Sequence, residues 1–185
     1  ETFGTYRYDS LFNGHTSIGN AHGIGLYVKF RRSDLNSPII IKAASSFTGI
    51  DGARKNLDAE IPHFEFSQTH AELTDIWNRH LSKMQVTSRD TTLLRKFYGA
   101  FYRASFLPRT INDVNGCYPT FSSGQPIVCT TNASNQYDDF SMWDTFRALH
   151  PLLNIISPHK NGEMMQSLID KYEQGGWLPI FPCWN

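Results

Sequence analysis

No apolar run in this 185-residue sequence approaches the ~20 residues that a bilayer-spanning helix needs, which excludes a helical membrane span. Charge of one sign is missing too. Its 17 basic residues are matched by 17 acidic ones, leaving neither the basic footprint of a nucleic-acid binder nor an acidic tail. Cysteine is scarce: Cys117, Cys129 and Cys183 exclude a disulfide-dense miniature scaffold and leave at least one thiol without a partner in the chain. The first residue is Glu1, with no methionine, basic n-region or apolar h-region, so any signal peptide is expected to lie outside this sequence. What the chain does have is aromatic side chains, 14% of its residues. Its length suits one ordinary domain, or two small ones, with a sizeable core.

The pattern changes partway along. Up to about residue 50 it reads as strand: Thr5–Tyr8 alternates, Gly25–Phe30 is aromatic and β-branched, and Pro38–Ala43 is a third β-rich stretch. Three strands do not readily close a sandwich, so this portion reads as the end of a larger β domain. After Thr48 the period becomes helical. Asp51–Glu60 predicts a short helix stopped near Pro62. Leu73, Ile76, Trp77, Leu81 and Met84 predict a helix over 70–85, and Leu93 to Tyr102 one over 91–106, with Thr87 or Ser88 as its cap. A polar, glycine- and proline-containing loop from Pro108 to about Asn135 is long enough to be functional. Phe140, Trp143, Phe146 and Leu149 begin a further helix that Pro151 should bend or tighten. Met164 to Tyr172 mark the last one, with Gly175-Gly176 as its stop. Helix after helix suggests an α-bundle or α/α toroid. The helices are too few to close a toroid, and no polar tail tapers the end. One segment of a longer protein is the expectation.

Generic motifs offer little. His22-Gly23-Ile24-Gly25 is not followed by a phosphate-binding G-x-G-x-x-G, and His15 and His22 lack the spacing of a helical zinc pair. Cys117 and Cys129 stand twelve residues apart with no histidine pair beside them, which suits a local disulfide or two buried thiols. Asp58 and Glu60, close to Arg54 and Lys55, read as a solvated or ion-paired helix face.

Residues 137–147 (YDDFSMWDTFR) are different, with four aromatics interleaved among three carboxylates and an arginine. A carboxylate beside tryptophan suits sugar recognition, because the ring covers the C–H face while the carboxylate accepts from hydroxyls. The same pattern also suits a helix capped by Asp139 or Ser141 with Phe140, Trp143 and Phe146 in the core. The Gly175–Pro182 run is too proline-rich for a helix and reads as a rigid, packed loop lining a cleft.

Ser46–Glu60 (SFTGIDGARKNLDAE) resembles the sandwich-to-linker junction of glycoside hydrolase family 92, the calcium-dependent exo-α-mannosidases, and Phe97–Arg103 (FYGAFYR) its first barrel helix. Phe140–Leu153 (FSMWDTFRALHPLL) and Ser167–Pro182 (SLIDKYEQGGWLPIFP) resemble its two most recognisable stretches, in the family's order and spacing. Phe181 stands where many members carry tryptophan. The resemblance implies a multidomain β + α protein. Residues 1–50 would be the C-terminal part of an N-terminal β-sandwich, 51–66 a linker, and 67–185 the first part of an (α/α)6 catalytic barrel, incomplete in this chain. It also implies removal of terminal α-mannose with inversion, which needs an acid on the leaving oxygen and a base activating water from the opposite face.

Acid, base and Ca2+ ligands are then expected outside this segment, leaving it inactive alone, with no catalytic or metal-binding residue of its own. The residues implied to bind substrate are Trp143 and Asp144, with Arg147 and Trp177 holding that wall in place or packing behind it. Expected partners are mannose-containing glycans (N-glycans or mannans) and the remaining part of the same protein, which completes the barrel. Expected location is secreted, periplasmic or cell-surface, where Asn132-Ala133-Ser134 could serve as a glycosylation sequon. The alternatives are a non-catalytic carbohydrate-binding relative and, more remotely, another α/α-toroid glycosidase.

Overall fold

The structure is a computed structural model that describes residues 2–19, 22–31, 38–122, 124, 127–129 and 134–183. The Asn132 sequon therefore lies outside the described residues. The chain divides into two compact units, Glu1–Ile41 and Lys42–Asn185.

The first unit is an antiparallel sheet in the order β2-β1-β3, formed by β1 (Thr2–Arg7), β2 (Ser10–Asn13) and β3 (Ile24–Lys29). The register places Thr5 of β1 opposite Phe12 and Leu26, and Thr5 is buried. The expected third strand, Pro38–Ala43, is not one: residues 38–46 carry no ladder. A β-rich composition becomes a strand only where another strand accepts its hydrogen bonds, and here Ile41 is 81% exposed. The third strand is instead the short β2, returned by a tight turn at Tyr8-Asp9.

In the second unit, α1 (Ile50–Glu60) ends where Ile61 precedes Pro62, a position biased away from helical backbone. The next helix, α2 (Phe66–Leu81), runs four residues earlier than expected. Met84 falls in the turn beyond it, where its carbonyl accepts from Tyr98 Oη at 3.1 Å. The third, α3 (Thr91–Ala104), is capped by Asp90, whose carboxylate accepts from the N–H groups of Thr92 (2.8 Å) and Leu93 (3.3 Å). Neither Thr87 nor Ser88, the expected caps, takes that place; Ser88 lies two residues upstream and accepts from Asp90 N–H. A carboxylate at the cap also complements the helix dipole. Trp77 of α2 packs against Tyr102 and Phe106, with ring centroids at 4.3 and 5.8 Å.

The predicted long loop contains two small antiparallel ladders. One pairs β4 (Arg109–Thr110) with β7 (Tyr137–Asp138); the other pairs β5 (Cys117–Pro119) with β6 (Ile127–Cys129). Cys117 and Cys129, directly opposite in register, form a disulfide. Two helices then stand where one was expected: α4 (Met142–Thr145) and α5 (Leu149–Ile156). Pro151 explains the break. Its ring would meet the carbonyl of Arg147 in a continuous helix, but in the first turn of α5 its missing N–H costs nothing. Finally, α6 (Pro158–Gly175) starts with proline at its first position and ends on Gly176 in left-handed backbone, φ 80°. The core lies where β7, α5 and α6 meet: Tyr137, Phe140, Leu153, Met164 and Leu168.

Candidate sugar-binding site

Residues 137–147 are fixed from behind. Tyr137 N–H donates to Ser167 Oγ at 3.0 Å, and the Asp138 carboxylate stands 3.3 Å from Lys171 Nζ, both side chains buried. Asp139 pairs with Arg109. Burial, reinforced by the neighbouring Glu163 carboxylate, pushes the Tyr137 phenol up to about 12, so it stays protonated at any physiological pH. Phe140 is fully buried and stacks against His150. Its N–H donates to the Pro182 carbonyl at 3.1 Å, and Met142 N–H to the Ile180 carbonyl at 3.2 Å. The Gly175–Pro182 run is therefore laid alongside the start of α4 by main-chain hydrogen bonds; Pro179 and Pro182 are buried, but Trp177, Leu178, Ile180 and Phe181 are exposed, so it is only in part the packed loop its composition implies.

Beyond Phe140 the aromatic pattern divides. Trp143 is 66% exposed and Phe146 55%, so neither joins the core that the capped-helix reading gave them. Trp143 instead faces Phe181 across 6.4 Å. Asp144, on the same turn, accepts a hydrogen bond from Ser141 Oγ at 2.5 Å. Arg147 stands over the ring of Phe146 at 5.4 Å and, among the described residues, forms no ion pair with Asp144. Trp177, also exposed, meets Phe121 edge-on at 5.0 Å. Of the four implied substrate residues, the structure brings Trp143 and Asp144 together and sets Arg147 just after them. It places Trp177 at the far end of the loop that carries Phe181.

This exposed surface pairs an aromatic ring with a carboxylate, and behind it lies a rigid backbone. A ring face can cover sugar C–H groups while charged oxygens accept from paired hydroxyls. Sequence reasoning missed Phe121. Its partners lie more than fifty residues away, and no periodic pattern links them.

A second polar cluster belongs to the scaffold. Asp113, 2% exposed, accepts from Ser46 Oγ (2.9 Å), Thr48 Oγ1 and Asn56 Nδ2 (2.8 Å). It borders a cavity of about 280 Å3 lined also by Phe47, Leu57 and Glu60. Asn56 Oδ1 in turn accepts from Val114 N–H. Those hydrogen bonds tie α1 to the loop leading into β5. Among the described residues, no three His, Cys, Asp or Glu side chains gather in a way that could hold a metal ion.

Comparison with known proteins adds to this geometry. Residues 52–185 match the model for the glycosyl hydrolase family 92 catalytic domain. Among solved structures, the chain is similar to the family GH92 alpha-mannosidase BT3965 from Bacteroides thetaiotaomicron. The TM-score is 0.73 at 23% identity, over 97% of this chain and 25% of that one. BT3965 has also been solved in complex with mannoimidazole. The family GH92 inverting mannosidase BT2199 from the same organism gives a TM-score of 0.75 at 23% identity, over 97% and 24%. The GH92 family glycosyl hydrolase ccman5 gives 0.60 at 22% identity, over 71% and 19%. At such identities the likeness is one of fold. The chain spans about a quarter of the length of the two Bacteroides structures. No curated protein matches it.

Proposed function

The chain belongs to glycosyl hydrolase family 92, and from that premise we propose that it is part of an exo-acting α-mannosidase that removes terminal α-mannose from glycans with inversion. In this reading residues 1–50 end an N-terminal β-sandwich, 51–66 link the domains, and 67–185 open an (α/α)6 barrel that the rest of the protein completes. The observation that carries the site assignment is the exposure of Trp143 beside Asp144, on a turn whose neighbour Phe140 is fully buried.

Trp143 then covers the C–H face of the non-reducing-end mannose, and Asp144 accepts from its hydroxyls. Arg147, over Phe146, and Trp177, against Phe121, hold the flanks. The acid and the base of an inverting hydrolase stand on opposite faces of the sugar with room for a water between them; we assign both to the remainder of the protein. Bound Ca2+ would supply a hard cation for sugar hydroxyl oxygens. Its ligands, too, we assign to the remainder of the protein, and this chain contributes recognition. The substrates are mannose-containing glycans, N-glycans or mannans. The Cys117–Cys129 disulfide supports a secreted, periplasmic or cell-surface setting, where such bonds persist.

The test is hydrolysis of an aryl α-mannoside by the complete protein, with the first-formed sugar followed by NMR. Release of β-mannose is the expected result. Mannose binding without any turnover would make the protein a carbohydrate-binding relative instead.

A further inference from the structure

Gly175 and Phe121 approach more closely than any side chain at residue 175 would allow. A Cβ there would lie 2.8 Å from both Phe121 Cδ1 and the Phe121 carbonyl oxygen. Gly175 is the last residue of α6, and the left-handed turn falls on Gly176. The two glycines therefore differ in purpose: Gly176 permits the turn, and Gly175 makes room for Phe121.

Other contacts fix the same junction. Phe121 N–H donates to Gln174 Oε1 at 2.8 Å, and Gln174 Nε2 donates to the Tyr118 hydroxyl at 3.2 Å. Tyr118 is buried in β5, next to the Cys117–Cys129 bond. The Phe121 ring meets Trp177 edge-on, an arrangement that fixes ring orientation as well as burying area. Trp177 opens the segment whose later residues hydrogen-bond to Phe140 and Met142 and set Phe181 against Trp143.

We propose that Phe121, presented by the disulfide-tied β5–β6 hairpin, is a positioning residue that fixes Trp177. Through the 177–182 segment it also sets how firmly the Trp143 surface grips sugar. The second half of this proposal rests on the assignment of Trp143 and Asp144 to the sugar.

The complete protein carries the test, as Phe121→Ala, Gly175→Ala and Phe121→Tyr, with Phe121→Ala repeated on a Trp177→Phe background. Phe121→Ala and Gly175→Ala should each raise KM for an aryl α-mannoside roughly two- to tenfold, the range set by losing one edge-to-face aromatic contact. The change in kcat should be smaller. Both should also shift tryptophan emission, and the Phe121→Ala shift should vanish on the Trp177→Phe background. Phe121→Tyr should restore both readouts. An emission spectrum that does not respond to Phe121→Ala, or a response that persists without Trp177, overturns the proposal. So does an unchanged KM accompanied only by a lower Tm. Trp143→Ala separates the two levels. If it leaves KM unchanged, the sugar assignment fails, and the emission experiment still decides whether Phe121 fixes Trp177.

Discussion

Ser141 Oγ donates to Asp144 Oδ2 at 2.5 Å, from the residue that precedes α4 to the third residue within it. The spacing is that of a capping box, but the bond runs from side chain to side chain, and neither side chain caps a backbone N–H of α4. Asp144 thus has a structural partner in Ser141 as well as an exposed position beside Trp143. The two roles separate by experiment. Asp144→Asn keeps the size and removes the charge. If Asp144 accepts from sugar hydroxyls, losing charge-assisted bonds of ~1.5–3 kcal/mol each should lower kcat/KM roughly ten- to a hundredfold, with Tm little changed. Near-normal kinetics with a lowered Tm would return Asp144 to the scaffold.

The buried pair Asp138–Lys171 anchors the strand leading to that turn. Its partners are 3.3 Å apart, with side-chain exposures of 7% and 8%. Breaking such a pair leaves an uncompensated buried charge, so Lys171→Met should cost about 3–5 kcal/mol of unfolding free energy. Asp138→Asn combined with Lys171→Met should recover part of that loss. A chemical denaturation series on the two variants and wild type reads both numbers.

Much of this was legible from local pattern. Three-and-four spacing marked α3 and α6, Pro62 marked the end of α1, and the Gly-Gly pair marked the end of α6. The misreadings came where a partner distant in sequence decides. Pro38–Ala43 has strand composition but, among the described residues, no strand pairs with it. Thr87 and Ser88 are credible caps by composition, but the helix begins later and Asp90 caps it. In the candidate site, aromatic spacing alone could not divide Phe140 from Trp143. The division follows from the hydrogen bonds of Phe140 and Met142 to the Pro182 and Ile180 carbonyls, forty residues on. The Phe121–Gly175 contact was invisible for the same reason.

The Cys117–Cys129 bond closes a loop with a sequence separation of 12. Chain-entropy reasoning gives about 3 kcal/mol for a loop of this order. Replacing both cysteines by serine should therefore lower stability by about that amount. If the hairpin positions Trp177, the same variant should shift tryptophan emission in the direction of Phe121→Ala. A melting curve and an emission spectrum of the double variant check both expectations.

Calcium removal tests the proposed whole-protein activity. Exhaustive chelation by EGTA should abolish mannoside hydrolysis by the complete protein, and added Ca2+ should restore it, since a hard cation suits hydroxyl and carboxylate oxygens. Full turnover with no metal by elemental analysis would take calcium out of the proposal.

His80 should make stability pH-dependent. Burial lowers its pKa below the usual 6.5, and the nearby Lys83 and Lys160 charges add to the effect. The ring lies against Phe101, and its Nε2 is 2.8 Å from Ser105 Oγ. With the folded pKa below the unfolded one, the unfolded chain binds the proton more readily as pH drops past about 6.5. Stability from this residue is therefore intact above that pH and is lost as pH falls toward and through the depressed folded value. His80→Gln, which cannot titrate, should flatten the dependence of Tm on pH between about 7 and 5, whatever it does to Tm at pH 8. An unchanged slope would show that protonation of His80 does not contribute to acid destabilisation.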